Sequence, residues 1–184
     1  MLFEPATWKQ FKTLQSYVEQ WGCGRVSYLD GMIQLMTVHL EHESRKSQVA
    51  GLLEAFLIEK ETPFFMHGSA TLESEKRRAA KEPDESYCFH TQKKFPDLAI
   101  EIAITSGGID TLEIYRRWKI PEVWIWQRDA LHVFQWHDGQ YAPAAASRHF
   151  PRLDLALLAK CARIPGFLDA RKQFLAGLKR KRRR

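Results

Sequence analysis

The sequence predicts an α/β protein, and three observations predict it. Apolar residues recur at helical spacing near the N-terminus, the period shortens to two in the middle of the chain, and helical spacing returns after Leu153. Helix first, a mixed or antiparallel sheet in the middle and helices last make an α/β domain. A chain of 184 residues is long enough for one well-filled core and short for two. Residues 1–178 are therefore expected to form a single domain, with 179–184 as a basic C-terminal tail.

Trp8, Phe11, Leu14, Val18 and Trp21 share one helical face, with Pro5 before them and Gly22 and Gly24 after as entry and exit signals. Residues 25–36, RVSYLDGMIQLM, hold two strand-like runs around Asp30-Gly31. That dipeptide favours a type I′ hairpin because both positions tolerate positive φ. A second helix is predicted from Glu41 to Lys60, burying Val49, Leu52, Leu53 and Phe56. Pro63 to His67 and Ala70 to Glu73 read as short strands, and the charged residues 75–82 as an exposed turn. Asp84 to Phe89 and Pro96 to Ile104 are better strands, joined by the polar HTQKK. Thr105-Ser106-Gly107-Gly108 is a loop opening a helix from Ile109 to Trp118. Pro121 to Gln127 and Leu131 to Trp136 form another strand pair, Asp138-Gly139 is a turn, and two helices from Leu153 break near Pro165-Gly166.

Composition narrows the function classes. Apolar residues at 45 % and charged residues at 27 % are the mix of a globular domain. No apolar run reaches the roughly 18 residues of a membrane span, and the N-terminus lacks the layout of a secretory signal. A cytoplasmic protein with no membrane partner is the expectation. Cys23, Cys88 and Cys161 are odd in number and far apart, so they read as reduced and mostly packed. The net charge is +6, but all six residues of the tail are basic. Without those six, the 28 Lys and Arg fall to 22, against 22 Asp and Glu. The body is neutral, and the tail is either a phosphate grip acting by counterion release or a solvated helix end.

The strand from Pro96 to Ile104 carries an unusual residue. Leu98, Ile100, Ile102 and Ile104 alternate onto one face, and Asp97, Ala99, Glu101 and Ala103 onto the other. A glutamate in so apolar a strand needs a cation, a metal or a hydrogen-bond donor. If residues 84–89 and 95–104 pair as a simple hairpin about Gln92 and Lys93, opposed residues have numbers summing to 185, which sets Asp84 across from Glu101 at about 5 Å. Carboxylates that close repel unless something positive lies between them. Mg²⁺, which takes one or two carboxylates plus phosphate oxygens, is one solution. A buried salt bridge to Arg or Lys from a neighbouring helix is the other. Asp97 lies about 13 Å along the strand from Glu101 and cannot share its ion. It reads as a cap or a rim residue.

The segments EPDESY (82–87) and FPDLAIEIAITSGGIDTLEIYRRWKIPEVWIW (95–126), with the upstream YLDGMIQLM and EHES, resemble the Uma-type family of restriction-endonuclease-like proteins in the PD-(D/E)XK nuclease superfamily. The resemblance runs over roughly residues 8–165 and implies a restriction-endonuclease-like mixed sheet flanked by helices. It implies a divalent-metal-dependent endonuclease using Mg²⁺ or Mn²⁺, with Pro83-Asp84 and Glu101 as the acidic pair and metal ligands. It further implies His42 near the site, DNA as the partner and a homodimer. The superfamily lysine, two residues beyond the second acid, is absent, since Ala103 stands there. Family members carry it on the next helix, four residues before a tyrosine. Tyr115 matches that tyrosine, so the lysine position is Thr111. Arg116, Arg117, Lys119 and Lys93 are the cations that would compensate. The alternative is a nuclease fold that has lost its chemistry and serves as a nucleic-acid-binding or interaction module.

Three further features admit plain structural readings. His39 and His42 are spaced for zinc but have no third ligand. Trp118, Trp124, Trp126 and Trp136 suit base stacking, a core wall or an oligomer surface. The Ser106-Gly107-Gly108 loop is either a phosphate-binding helix start or a turn and cap.

Overall fold

Thr7 starts the first helix. Its hydroxyl accepts from the Gln10 amide at 3.2 Å, while the Gln10 side chain accepts from the Thr7 amide at 2.7 Å, a capping box. This computed structural model describes residues 1–37, 39–103 and 108–181. In chain order the first elements are β1 (Leu2–Phe3), α1 (Trp8–Trp21), β2 (Arg25–Leu29), β3 (Met32–Met36) and α2 (Leu40–Glu59). Then come β4 (Phe64–Met66), β5 (Leu72–Ser74), β6 (Ala79–Lys81), β7 (Glu85–Phe89), β8 (Leu98–Ala103) and α3 (Thr111–Arg116). The chain continues through β9 (Glu122–Gln127), β10 (Ala130–His137), β11 (Gln140–Ala144), α4 (Leu155–Ala162) and α5 (Phe167–Lys181). The last helix thus runs three residues into the basic stretch.

The strands divide between two sheets, ordered β1-β3-β2-β6-β5 and β11-β10-β9-β8-β7-β4. The second is mixed: β8 and β9 run parallel, with α3 in the crossover that a parallel pair requires, and its other neighbours are antiparallel. The β2–β3 hairpin turns on Asp30 and Gly31 at φ 49° and 95°, as the dipeptide predicts. Asp138 and Gly139 do the same for β10–β11, making a strand of residues that carry no strand pattern of their own. Helix α3 is shorter than predicted because Asp110 caps it, accepting from the Glu113 amide at 3.0 Å.

One expectation is overturned with consequences for function. Residues 75–82 are not simply an exposed turn. The turn closes early, and Ala79, Ala80 and Lys81 form β6, all three buried. Three residues are too few to show a period. What makes them a strand is pairing with β2, Tyr28 opposite Ala80, across some fifty positions of sequence.

Three apolar clusters fill the space between layers. Helices α2, α4 and α5 cover one face of the six-stranded sheet, where Leu98, Ile100, Ile102, Trp124 and Trp126 meet Leu52, Leu53 and Leu57. Trp124 and Trp126 are therefore core walls, at 0 and 2 % exposure, and do not stack on bases. The opposite face sends Ala99 and Val123 against Ile114, Tyr115 and Leu29, and α1 covers the other sheet through Phe11 and Val18. The alternation along β8 is as read, so Glu101 points into the seam between the two sheets. No helix among the described residues is long and apolar enough to cross a membrane.

Candidate functional site

The β7–β8 hairpin has the predicted register. Glu85 lies opposite Ile100, Ser86 opposite Ala99 and Tyr87 opposite Leu98, and one further step brings Asp84 to Glu101. Asp84 sits where the chain passes from one sheet to the other, between the end of β6 at Lys81 and the start of β7 at Glu85. That passage lets groups from both sheets converge.

Asp84 ties three elements together. Its Oδ1 meets Arg25 Nη1 of β2 at 2.5 Å. Its Oδ2 lies 3.1 Å from His42 Nε2 in the first turn of α2 and accepts from the Ile102 amide of β8 at 2.7 Å. Burial pushes the Asp84 carboxyl up, but the hydrogen bonds from His42 and Ile102 and the nearby positive charges outweigh it, and the group titrates below the ordinary carboxylate range. His42 is correspondingly raised, first by its bond to Asp84, and its Nδ1 lies 3.1 Å from Glu43 Oε1.

Glu101 is different. Tyr115 of α3 donates its hydroxyl to Oε1, and Lys81 Nζ lies 3.1 Å from Oε2. Burial dominates and pushes the carboxyl up to about 7, with Asp84 adding to the rise and Lys81 opposing it. At Glu101 burial thus outweighs the Lys81 ammonium. A consequence can be measured without any substrate. A folded value above the ordinary 4.5 contributes stability that is fully present below about pH 4.5 and is lost as pH rises through about 7. The difference is on the order of 3 kcal/mol. Urea unfolding in EDTA between pH 4.5 and 8 should show the natural protein losing that much relative to Glu101→Gln, whose amide does not titrate. Parallel profiles would refute it.

Arg25, His42, Lys81, Asp84 and Glu101 line a cleft of about 800 Å³ together with Ala103, Asp110 and Thr111. A smaller cavity of about 390 Å³ beside His67, Arg77 and Trp118 contains none of them. Two buried carboxylates facing each other, one under-compensated, fit a hard divalent cation, which takes oxygen ligands and keeps several waters. Among the described residues no three His, Cys, Asp or Glu gather as a protein cage. Open positions would therefore be left for water and phosphate oxygens.

The remaining expectations sort as follows. Asp97 Oδ2 accepts from the Phe89 amide at 2.8 Å and from Lys93 at 2.5 Å, bracing the β7–β8 turn away from the cleft. Thr111 lines the cleft and brings no charge. The cations expected to compensate do not line it. Arg116 pairs with Glu113, Arg117 with Asp30 and Glu113, and Lys93 with Asp97, and Lys119 is also absent from the cleft wall. The positive charge comes instead from Lys81 and Arg25, neither of which the sequence reading singled out. For Lys81 the available signal was its place three residues before Asp84, after two alanines. His39 bonds to Thr37 at 3.1 Å and His42 to two carboxylates, and among the described residues no third ligand gathers with them. Ser106 and Gly107 lie outside the described residues, and at α3 the Asp110 cap occupies the Glu113 amide offered to a phosphate.

Residues 8–163 match the model of one protein family, Uma2, described as "Putative restriction endonuclease". Among curated proteins none matches the chain.

Proposed function

The chain belongs to the Uma2 family, and we propose that it is a divalent-metal-dependent endonuclease that hydrolyses DNA phosphodiester bonds in the cleft of Asp84 and Glu101. The observation that carries the reading is the convergence of those two buried carboxylates with Lys81, Arg25 and His42 in one open cleft between the sheets. Asp84 and Glu101 would hold Mg²⁺ or Mn²⁺, with the Ile102 carbonyl as a further oxygen. When bound, the metal polarises the scissile phosphate and lowers the pKa of a water. The Ile102 amide and His42 orient Asp84, and Tyr115 orients Glu101, so both carboxylates are held before substrate arrives. His42, whose pKa Asp84 and Glu43 raise, would direct an N–H at a phosphate oxygen or a water when it releases one of them. Water adds to phosphorus, the P–O bond to the leaving sugar oxygen breaks, and a phosphate monoester and a hydroxyl result. A homodimer would set one such cleft on each strand of a duplex.

The test is cleavage of supercoiled plasmid and single-stranded DNA by purified protein in Mg²⁺ or Mn²⁺. Nicking or linearisation that EDTA and Glu101→Ala both abolish is expected. Thr111 and Ala103 favour a second reading, a fold that binds DNA without cutting it. DNA binding by a well-folded protein that cuts neither substrate would establish that reading instead.

A further inference from the structure

We propose that Lys81 is the catalytic cation of this site, placed by a strand of the other sheet so that its ammonium meets the negative charge developing on the scissile phosphate. The assignment rests on the nuclease reading above. Phosphodiester hydrolysis builds charge on the phosphoryl oxygens, and a cation fixed beforehand in a partly dry cleft stabilises that charge far more than one in water.

The cleft offers few candidates, and the other cations are directed at groups other than Glu101. Arg25 is held by Asp84 at 2.5 Å. His42 spans Asp84 and Glu43. His39 is exposed and bonded to Thr37, and the Met1 ammonium donates to the Leu35 carbonyl at 2.9 Å. Lys81 alone among them is paired with Glu101, at 3.1 Å. An ammonium has three protons, so two are left for groups other than that carboxylate oxygen, in a side chain that lines the cleft.

Burial argues the same way. The Lys81 side chain is only 5 % exposed. A buried ion pair generally adds little stability over apolar residues of the same volume, and its neighbours on β6 are two buried alanines. Stability gives little reason for a lysine here, whereas chemistry does. The strand also supplies rigidity: β6 ends at Lys81, and the short passage to Asp84 carries ammonium and carboxylate into the cleft on one piece of backbone.

A merely structural pairing with Glu101 predicts different behaviour from a catalytic one. The test compares Lys81→Met, alone and combined with Thr111→Lys, which places an ammonium at another lining position of the same cleft. Plasmid cleavage is measured in saturating Mg²⁺, and Mn²⁺ binding to the protein alone by calorimetry at pH 8.5. Lys81→Met should lower kcat by about 10²- to 10³-fold with KM little changed, and leave Mn²⁺ affinity within about tenfold. Thr111→Lys should return roughly tenfold or more of the lost rate. Lys81→Gln, which keeps a polar contact to Glu101 without charge, should lose rate likewise and serves if the methionine variant does not fold. Wild-type cutting by Lys81→Met or Lys81→Gln would overturn the assignment and leave the nuclease reading standing. So would loss of Mn²⁺ binding together with rate, or a loss that Thr111→Lys does not relieve. A natural protein that cuts nothing in either metal is the distinct failure of the nuclease reading, and the assignment falls with it.

Discussion

Asp84→Asn should lower metal-dependent cleavage by about 10³-fold or more, roughly 4 kcal/mol of barrier, without unfolding the protein. Asparagine keeps the shape of the side chain, and its carbonyl oxygen can still accept from the Ile102 amide, which now donates to Asp84 at 2.7 Å. It removes the charge that would hold the cation and that now holds Arg25 and His42. The amide NH₂ also faces the Arg25 guanidinium, donor against donor. His42 reports the change independently of activity. The bond to Asp84 is the first cause of its raised pKa, so an NMR titration of the imidazole should move down in the variant. The sign follows for stability: a raised histidine contributes stability present below its ordinary 6.5 and lost as pH rises through the folded value. In Asp84→Asn only the share from Glu43 remains. A variant that cuts DNA at the natural rate would remove Asp84 from the chemistry.

Glu122→Ala should cost on the order of 3–5 kcal/mol of stability, close to 10 °C in Tm at about 2–4 °C per kcal/mol. Glu122 is fully buried at the start of β9. Its Oε1 accepts from Trp124 Nε1 at 2.7 Å and Ser147 Oγ at 2.6 Å, and its Oε2 from the Arg148 amide at 2.6 Å and Gln135 Nε2 at 3.1 Å. Alanine takes the acceptor from all four, among them the indole N–H of a core tryptophan, and among the described residues only Gln135 keeps another acceptor, the Ala146 carbonyl at 2.9 Å. Glu122→Gln should cost clearly less, and urea unfolding separates the two. Cleavage by the folded fraction should persist, because Glu122 is three register steps from the residue beside Glu101, about 10 Å along the strand. The contrast between the two glutamates is instructive. Glu122 is surrounded by neutral donors and faces no cleft, whereas Glu101 faces one and its burial outweighs the Lys81 ammonium beside it. Full destabilisation by Glu122→Gln, or none by Glu122→Ala, would contradict this account.

Both acidic groups of the site were legible before any coordinates. Glu101 interrupts an alternating apolar strand, and the short polar loop at HTQKK sets the hairpin register that brings Asp84 opposite it. The tight turns at Asp30-Gly31 and Asp138-Gly139 were legible for the same reason: positive φ is a property of the residues that occupy the turn. Arg128 and Asp129 make an equivalent turn at φ 50° and 60° with no glycine to announce it. There the pairing of β9 with β10 imposes the backbone that composition alone would not suggest.

The cations could not be read in this way. Arg25 reaches Asp84 across 59 positions, and Lys81 becomes a cleft residue only because β6 pairs with β2. In the sequence Lys81 lies in a charged stretch and resembles any solvated lysine. Local rules act between residues a few positions apart, through turn geometry, periodicity and capping, and so the α/β class, the helices, the hairpin registers and the carboxylate pair were determined by the sequence alone. Which charges face those carboxylates depends on how two sheets dock. That is decided by burial of apolar surface summed over the whole chain, and it is why the tertiary structure alone put Lys81 and Arg25 in the cleft.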